Sequence, residues 1–266
     1  RNRAAFSDWA IWPRVLVDVA ERDLRTTVLG TAVDMPILVA PTAYHRLAHP
    51  DGEPATARGA ADVGTLFVAS TLATTTLEEI AAASPGPKWF QLYVHKDRGA
   101  TRELVARAQA AGYGALVVTV DTPILGRRLA DLRNGFTLPP GLTMANFDEA
   151  SGPSIPGESD LLRRVAARHD AAFCWADLDW LRSLSPLPII LKGILRADDA
   201  ARAVEHGVGA IIVSNHGGRQ LDGAPGTLDA LPDVVAAAAD RCQVLIDGGL
   251  RSGCEIFTAL GLGKRV

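Results

Sequence analysis

Short, unbroken apolar runs recur along the chain, and each of them ends in a polar residue. The runs are rich in Val, Ile and Leu and do not alternate with polar side chains, which is typical of parallel strands buried on both faces. They lie at residues 37–40, 66–69, 89–90, 116–118, 189–191, 211–213 and 244–246. Helical stretches separate them, so the sequence predicts seven successive βα units.

The helical stretches have recognisable ends. Residues 75–78 and 252–255 fit the capping box, in which side chains satisfy the first N–H groups of a helix. The stretches at 97–111 and 198–206 are each followed by a glycine, Gly112 and Gly207, suited to a left-handed helix stop. These signals support helices between the strands.

A βα repeat predicts either a doubly wound sheet or an eight-stranded barrel. We favour the barrel because the strands end in polar residues, and barrel active sites collect at that rim. The G-x-G-x-x-G of a dinucleotide-binding sheet does not follow the first strand. The prediction is therefore an α/β chain, a (β/α)8 TIM barrel in one domain over residues 1–266, with a rim loop at about 139–175. Strand eight is expected after Gly263, where the sequence stops, so the barrel is predicted to lack it.

Composition narrows the class of protein. The chain has 266 residues, 48% of them apolar, and a formal net charge of −3, which excludes a disordered chain and gives no reason to expect nucleic acid or an anionic membrane as partner. Cys174, Cys242 and Cys254 have no metal-site spacing and are interpreted as small core residues of a reducing compartment. No apolar run is as long as a membrane helix needs, so a cytoplasmic location is predicted.

The densest chemical signal is the run Ser214-Asn215-His216-Gly217-Gly218-Arg219-Gln220-Leu221-Asp222, directly after a buried strand. A histidine there can lie over the barrel mouth, the two glycines let the backbone approach a ligand, and Arg219 suits a carboxylate. The alternative is a turn with a solvated histidine and arginine. The crowding of these residues at one strand end favours the functional interpretation.

Three further strand ends carry charged residues. Asp121 follows one strand, with Arg127 and Arg128 close behind, and a carboxylate near His216 would favour its imidazolium form. Lys192 closes a buried strand, where it could stabilise negative charge or form a Schiff base. The turn 247–251, Asp-Gly-Gly-Leu-Arg, opens a helix and resembles a barrel phosphate site. Together these residues suggest a phosphate-bearing cofactor, a neighbouring cation, a histidine base and arginines for a small anion.

The same residues resemble the FMN-dependent 2-hydroxy-acid oxidases and dehydrogenases, a family that includes glycolate, lactate and mandelate oxidases. The resemblance runs through almost the whole chain, at residues 41–43, 49–53, 91–93, 119–123, 126–128, 191–193, 214–222 and 247–251. It implies oxidation of an (S)-2-hydroxy acid to a 2-oxo acid. It also implies that the N-terminal segment and the last helix of the family are missing here.

The resemblance assigns a role to each matching residue. His216 corresponds to the catalytic base and Asp121 to its carboxylate partner. Arg128 and Arg219 would bind the substrate carboxylate, and Tyr93 would donate a hydrogen bond to the substrate. Lys192 would stabilise the reduced flavin. The implied FMN contacts are Pro41, Thr42, Ala43, Ser70, Gln91, Thr119, Lys192, Ser214, Asp247, Gly249 and Arg251.

The resemblance also guides the choice of substrate and electron acceptor. Leu72 replaces a tryptophan of glycolate oxidases, beside Tyr44, which favours a medium or aromatic substrate such as mandelate. The rim loop carries Asp148, Glu149, Glu158, Asp160, Arg163 and Arg164 rather than a membrane-anchoring apolar insertion. We therefore expect oxygen as acceptor, with hydrogen peroxide as product, no membrane partner, and the homotetramer common among relatives as a candidate assembly.

Other interpretations remain open at this point. The chain could be a truncated, non-catalytic FMN-binding remnant or a quinone-linked dehydrogenase of the same family. A barrel isomerase or aldolase would use Lys192 covalently. A scaffold that only binds partners fits least well, because it would not need this set of charged residues at strand ends.

Overall fold

The computed structural model describes residues 1–147 and 165–263. The chain divides into two compact units, which we call the central unit (Leu38–Ile190) and the terminal unit (Arg1–Ile37 with Leu191–Val266). The strands are β1 (Thr26–Val28), β2 (Thr31–Val33), β3 (Phe67–Ser70), β4 (Lys88–Leu92), β5 (Leu116–Thr119), β6 (Ile189–Ile194), β7 (Ala210–Val213) and β8 (Gln243–Ile246). The helices are α1 (Gly52–Asp62), α2 (Leu77–Ala83), α3 (Arg98–Ala110), α4 (Leu129–Arg133), α5 (Leu178–Ser183), α6 (Ala197–Glu205), α7 (Thr227–Ala238) and α8 (Gly253–Leu262). The single domain predicted for the whole chain stays a prediction.

The central unit is built on parallel strands. β3 pairs with β4, with Phe67 opposite Lys88, and β4 pairs with β5, with Gln91 opposite Val117. Every residue of these three strands is buried. Unbroken apolar runs therefore mark strands covered on both faces, as the sequence predicts.

Helix ends in the central unit follow the local sequence. The Thr76 side chain accepts a hydrogen bond from the Glu79 amide at 3.2 Å, and Glu79 Oε2 accepts one from the Thr76 amide at 3.1 Å. This capping box begins one residue later than predicted. At the start of α3 the Asp97 side chain accepts hydrogen bonds from the Gly99 and Ala100 amides, and Gly112 follows the helix with φ of +80°. In both helices a side-chain oxygen at the N-terminus accepts a hydrogen bond from an N–H group of the first turn, which has no partner within the helix.

The terminal unit also contains parallel strands, β7 and β8, paired from Ala210 opposite Gln243 to Val213 opposite Ile246. Gly207 follows α6 with φ of +66°, and the Ser252 side chain caps α8 as predicted. Glu255 Oε2 accepts a hydrogen bond from the Arg251 amide, one residue before the partner that the capping box predicts. An antiparallel hairpin of β1 and β2 was not predicted. The chain passes from the central unit to the terminal unit within β6.

Two predictions about the fold are wrong. The apolar run at 37–40 does not form a strand; it contributes one parallel bridge, between Val39 and Phe67. Cys174 and Cys254 are exposed and Cys242 is half-buried, so these residues are not part of the core. An apolar run does not by itself show that residues form a strand, and a small side chain does not by itself show that a residue lies in the core.

The rim loop at 139–175 is described at both of its ends. Asn146 Oδ1 accepts a hydrogen bond from the Leu77 amide at 3.0 Å, which fixes one end to the start of α2. The charged residues singled out at 148–164 lie outside the described residues. In the part of the chain that the structure describes, no helix has both the length and the apolar character of a membrane span.

Candidate functional site

Three strand ends of the central unit are joined by one buried glutamine. Gln91, at the end of β4, accepts a hydrogen bond from Ser70 Oγ at 3.2 Å and donates one to Thr119 Oγ1 at 3.0 Å. The Thr71 amide also donates to Gln91 Oε1, at 3.2 Å. Because Ser70, Gln91 and Thr119 end adjacent parallel strands, the fold brings these predicted flavin contacts together. The Gln91 carboxamide keeps one N–H that these three contacts do not use.

Tyr93 lies two residues beyond this chain of hydrogen bonds and stacks on a histidine. The Tyr93 and His169 rings have centroids 4.4 Å apart and an angle of 27° between their planes. His169 is held there because residues 168–170 run antiparallel to residues 94–96, with the Lys96 amide donating to the Arg168 carbonyl at 2.8 Å. The sequence analysis did not identify His169, since its role depends on a pairing between distant segments.

The neighbouring His95 is a second buried histidine of the central unit. Its ring stacks on Phe147 with centroids 5.1 Å apart. Burial, together with the positive charges of His169 and Arg168, lowers the pKa of His95 to about 4. His95 is therefore neutral near pH 7.

The other predicted site residues of the central unit follow β5 or precede α1. Asp121 and Arg128 are half-buried, whereas Arg127 is exposed, which separates the two adjacent arginines. Pro41 and Ala43 are half-buried and Thr42 is exposed. The pairing of Asp121 with His216 and the joint carboxylate clamp of Arg128 and Arg219 stay predictions.

Glu53 is a buried carboxylate that supports the loops carrying these residues. Its Oε1 accepts hydrogen bonds from the His45 amide at 3.1 Å and the Thr74 amide at 2.8 Å, and its Oε2 accepts one from Thr75 Oγ1 at 2.9 Å. Burial by itself raises the pKa of Glu53, but the hydrogen bonds from Thr74 and His45 outweigh it and the pKa lies below its usual value. The sequence marks Glu53 within a motif but does not indicate this role.

Lys192 is the centre of the site residues in the terminal unit. It is 5% exposed, and its Nζ donates a hydrogen bond to Ser214 Oγ at 2.7 Å and forms an ion pair with Asp247 Oδ2 at 2.8 Å. Ser214 and Asp247 directly follow β7 and β8, as predicted, whereas Lys192 lies within β6, which continues to Ile194 instead of closing at the lysine. Since the ion pair uses the charged amine, this geometry favours an electrostatic role for Lys192 over Schiff-base chemistry.

The loop after β7 presents His216 and Arg219. Ser214 Oγ, which accepts from Lys192, also accepts a hydrogen bond from the His216 amide at 3.1 Å. His216, Gly217 and Gly218 all have left-handed backbone, with φ of +59°, +68° and +75°. The two glycines are therefore required by backbone conformation, since left-handed residues with a Cβ are strained. His216 is half-buried and Arg219 exposed.

An asparagine pair holds this loop, and the sequence analysis did not predict it. Asn2 Nδ2 donates to Asn215 Oδ1 at 2.8 Å, and Asn215 Nδ2 donates to Asn2 Oδ1 at 2.6 Å. The partners are 213 positions apart in the sequence. No local pattern could have indicated this contact.

The predicted phosphate turn at 247–251 packs against the N-terminal residues. A Cβ added to Gly249 would lie 2.5 Å from the Asn2 carbonyl oxygen, and Gly249 has φ of +91°. The Arg251 amide donates to Glu255 Oε2, and the exposed Arg251 guanidinium donates to the Leu250 carbonyl at 2.7 Å. The positive φ and the nearby Asn2 backbone thus explain why residue 249 is a glycine. Phosphate binding at this turn stays a prediction.

Leu72 belongs to an apolar cluster in the central unit. Met144 and Val165 are its buried members, and the half-buried side chains packed against them are Tyr44, Leu72, Phe136, Leu138 and Phe147. The Tyr44 amide donates to the Leu72 carbonyl at 3.2 Å, which confirms that the two residues are neighbours. Residues of the rim loop therefore lie in the same apolar cluster as Leu72, the residue that we associate with substrate size.

The chain resembles known flavin-dependent oxidases in sequence and in structure. Residues 1–266 match the family model described as FMN-dependent dehydrogenase. The chain is 56% identical to an L-lactate oxidase of Nostoc sp. over 99% of this chain and 74% of that protein. It is 50% identical to 2-hydroxyacid oxidase 1 of Homo sapiens over 99% of this chain and 73% of that protein.

A solved mandelate oxidase, in complex with (S)-4-hydroxymandelic acid, superimposes with a TM-score of 0.93 at 44% identity, over 98% of this chain and 74% of that one. This likeness confirms the α/β barrel class that the βα repeat predicts. The chain is an FMN-dependent oxidoreductase: it belongs to the FMN-dependent dehydrogenase family.

Proposed function

We propose that the chain oxidises an (S)-2-hydroxy acid to the 2-oxo acid and passes the electrons to oxygen, which is released as hydrogen peroxide. The observation that carries the proposal is the buried Lys192, bonded to Ser214 and Asp247 directly beside the loop of His216 and Arg219. Ser214 thus joins Lys192 to the loop that carries the proposed base and the proposed carboxylate-binding group. The relatives named as lactate, 2-hydroxyacid and mandelate oxidases support the same chemistry.

The described residues fit FMN as the cofactor. Asp247 Oδ1 is buried and has no hydrogen-bond partner among the described residues, while Oδ2 is paired with Lys192. A buried acceptor of this kind suits a hydroxyl group, which the ribityl chain of FMN supplies. Ser70, Gln91 and Thr119 would hold the polar edge of the ring, with Pro41, Thr42 and Ala43 beneath it. Ser214, Gly249 and Arg251 complete the proposed set.

When bound, FMN would supply the two-electron redox chemistry that links oxidation of the substrate carbon to reduction of oxygen. Lys192 supplies a fixed positive charge where negative charge develops, which lowers the barrier without reorganisation of solvent. The ion pair with Asp247 and the bond to Ser214 hold that charge in place.

His216 acts as the base in this proposal. Its imidazole accepts a proton from the substrate during oxidation, and Asp121 stabilises the imidazolium that results. Arg128 and Arg219 bind the substrate carboxylate through planar, charge-assisted hydrogen bonds, and the Tyr93 phenol donates to the substrate oxygen. These roles are proposals that substitutions at each position would test.

We propose a medium or aromatic substrate of the mandelate type, because Leu72 is smaller than the tryptophan it replaces in glycolate oxidases. The Leu72→Trp variant should therefore lower kcat/KM for (S)-mandelate at least about tenfold relative to glycolate, a loss typical of a filled apolar pocket. Steady-state kinetics with both acids would measure the ratio. Faster turnover of glycolate than of mandelate by the unchanged chain would contradict the proposed preference.

The decisive experiment is an absorption spectrum of the chain with FMN, recorded without oxygen before and after addition of (S)-mandelate or (S)-lactate. Bleaching of the flavin band, followed by its return in air with release of hydrogen peroxide, is the expected result. Bound flavin that neither acid bleaches would support a binding remnant. Reduced enzyme that ignores oxygen but reacts with a quinone would support the dehydrogenase alternative. Borohydride trapping of substrate on Lys192 would favour the aldolase alternative.

We also propose that the chain is cytoplasmic and forms a homotetramer. Light scattering of the FMN-loaded chain would test the tetramer.

A further inference from the structure

We infer that Asn2 is a positioning residue for His216 and Arg219. The inference rests on the proposed function, since it concerns the loop that carries the proposed base. Asn2 acts through Asn215 and through the start of α7, and it has no proposed contact with substrate.

The Asn2 and Asn215 carboxamides form a closed pair. Each donates one N–H to the oxygen of the other, at 2.8 and 2.6 Å. Asn215 is 6% exposed, so solvent does not replace these bonds easily. The pair fixes the first residue after Ser214 against the N-terminal segment.

The loop needs such an anchor because its backbone is strained. His216 is followed by Gly217 and Gly218, and all three have left-handed φ values. A left-handed residue that carries a side chain persists when the surrounding structure holds it. Asn215 supplies part of that restraint, since its Oδ1 accepts a hydrogen bond from the Gly218 amide at 2.9 Å.

Asn2 also joins the loop to the rest of the terminal unit. Its Oδ1 accepts a hydrogen bond from the Thr227 amide, at the first residue of α7, at 3.2 Å. Asn215 Nδ2 donates to the Pro225 carbonyl at 2.9 Å. The loop from 215 to 227 is therefore closed at both ends by the same two carboxamides, and Arg219 lies inside it.

The Asn2 backbone reaches a second predicted part of the site. A Cβ at Gly249 would lie 2.5 Å from the Asn2 carbonyl oxygen, and a Cβ at Gly248 would lie 2.8 Å from the Nδ2 atom of the Asn2 side chain. One residue thus contacts both the base loop and the turn that follows β8. A change at Asn2 should misplace His216 without removing any group that the reaction uses.

The test compares Asn2→Ala, Asn2→Asp and Ser7→Ala in the full chain. Asn2→Ala removes all the side-chain bonds, whereas Asn2→Asp keeps the oxygen acceptors for Asn215 and Thr227. Ser7 is an exposed residue of the short 3-10 helix, Ala4–Asp8, that begins two residues after Asn2, and it serves as the matched control.

Two readouts are measured for each variant. The rate of anaerobic flavin reduction at saturating (S)-mandelate or (S)-lactate should fall at least about tenfold in Asn2→Ala, because small misplacements of a catalytic group slow chemistry strongly. It should lie between the Asn2→Ala rate and the original rate in Asn2→Asp, which keeps the oxygen acceptors but sets an oxygen against Asn215 Oδ1, and it should stay unchanged in Ser7→Ala. Hydrogen exchange of the peptide covering 214–221, measured without FMN, should accelerate about tenfold in Asn2→Ala alone.

Each outcome decides the inference. An Asn2→Ala chain that melts earlier but reduces flavin at the original saturating rate would show a structural role only, and would overturn it. Unchanged exchange at 214–221 would also overturn it. If the unchanged chain binds FMN but no 2-hydroxy acid reduces it, the proposed function fails, and the exchange measurement still tests whether Asn2 holds the loop.

Discussion

A single carboxylate, that of Glu53, ties together two loops of the central unit. It is fully buried, and it accepts hydrogen bonds from His45, Thr74 and Thr75 rather than facing a cation. Those loops follow Pro41–Ala43 and Ser70, so the carboxylate supports residues that we assign to FMN. The hydrogen bonds to the ionised form keep the pKa below its usual value.

We expect Glu53→Gln to lower the free energy of unfolding at pH 7 by at least about 2 kcal/mol, since hydrogen bonds to charged groups contribute 1.5–3 kcal/mol each. Because the folded pKa is depressed, this stability is present above the unfolded pKa and is lost as pH falls through the folded pKa. The difference between the two chains should therefore shrink as the pH falls below about 4.5. Urea unfolding at several pH values would measure it.

The control for this prediction is Glu103→Gln, on the exposed face of α3. It should change stability little at any pH. A Glu53→Gln chain as stable as the original at pH 7 would mean that the hydrogen bonds only compensate for burial of the charge.

His169 is expected to hold the Tyr93 phenol in place through ring stacking. His169→Ala should raise KM for the 2-hydroxy acid about 2- to 10-fold with a smaller change in kcat, because aromatic pairs contribute about 0.5–1.5 kcal/mol. His169→Phe keeps a ring and should restore most of the affinity. Steady-state kinetics would separate the two constants. A fall in kcat of about 2- to 10-fold with no change in KM would contradict the positioning role.

The residues that could be predicted are those at strand ends. Ser70, Gln91 and Thr119, like Lys192, Ser214 and Asp247, follow apolar runs, and parallel strands bring their carboxyl ends to one edge. Asn2, Glu53 and His169 could not be predicted in the same way. Their roles come from hydrogen bonds or stacking between segments far apart in the chain, which no local pattern records.

At the scale of elements, the apolar runs predicted the strands well where both faces are buried. The run at 37–40 failed because it forms one bridge, at Val39, instead of a ladder. The β1–β2 hairpin was missed because its strands are short and its turn contains Leu29 with φ of +47°. The Leu29 amide is held by Gln243 Oε1 at 2.8 Å, so a distant residue stabilises a turn that the local sequence disfavours.

The start of α2 gives a prediction about one element. Thr76→Ala removes the cap that Thr76 and Glu79 form together, and we expect it to cost about 1 kcal/mol, or a few degrees in Tm. Thr76→Ser keeps the hydroxyl and should restore the loss. Calorimetry of the three chains would measure it. Neither substitution touches an assigned site residue, so loss of FMN binding in Thr76→Ala at low temperature would contradict a purely local effect.

At the scale of the whole molecule, the residues that we assign to FMN are spread along the chain from Pro41 to Arg251. FMN binding should stabilise the native chain, by about 2.7 kcal/mol when FMN is present at 100 times its Kd. For a chain of this size that corresponds to a rise of about 5–10 °C in Tm. Thermal melting of the chain freed of flavin, with and without added FMN, would measure the shift.

Hydrogen exchange would show which part of the chain FMN protects. Slower exchange after β3 and β4, and equally after β7 and β8, is the expected pattern. Protection after β3 and β4 alone, or after β7 and β8 alone, would contradict the assignment of the remaining residues. Riboflavin, which lacks the phosphate, would serve as the matched ligand.

The left-handed run at His216, Gly217 and Gly218 also limits how this chain can change over time. A descendant that no longer needed the base would be free to lose the imidazole, but its backbone would still favour Asn, Asp or Gly at this position. A descendant that had lost the reaction would therefore be expected to carry one of these three residues at position 216. A histidine in this strained conformation agrees with the proposed use of its imidazole as the base.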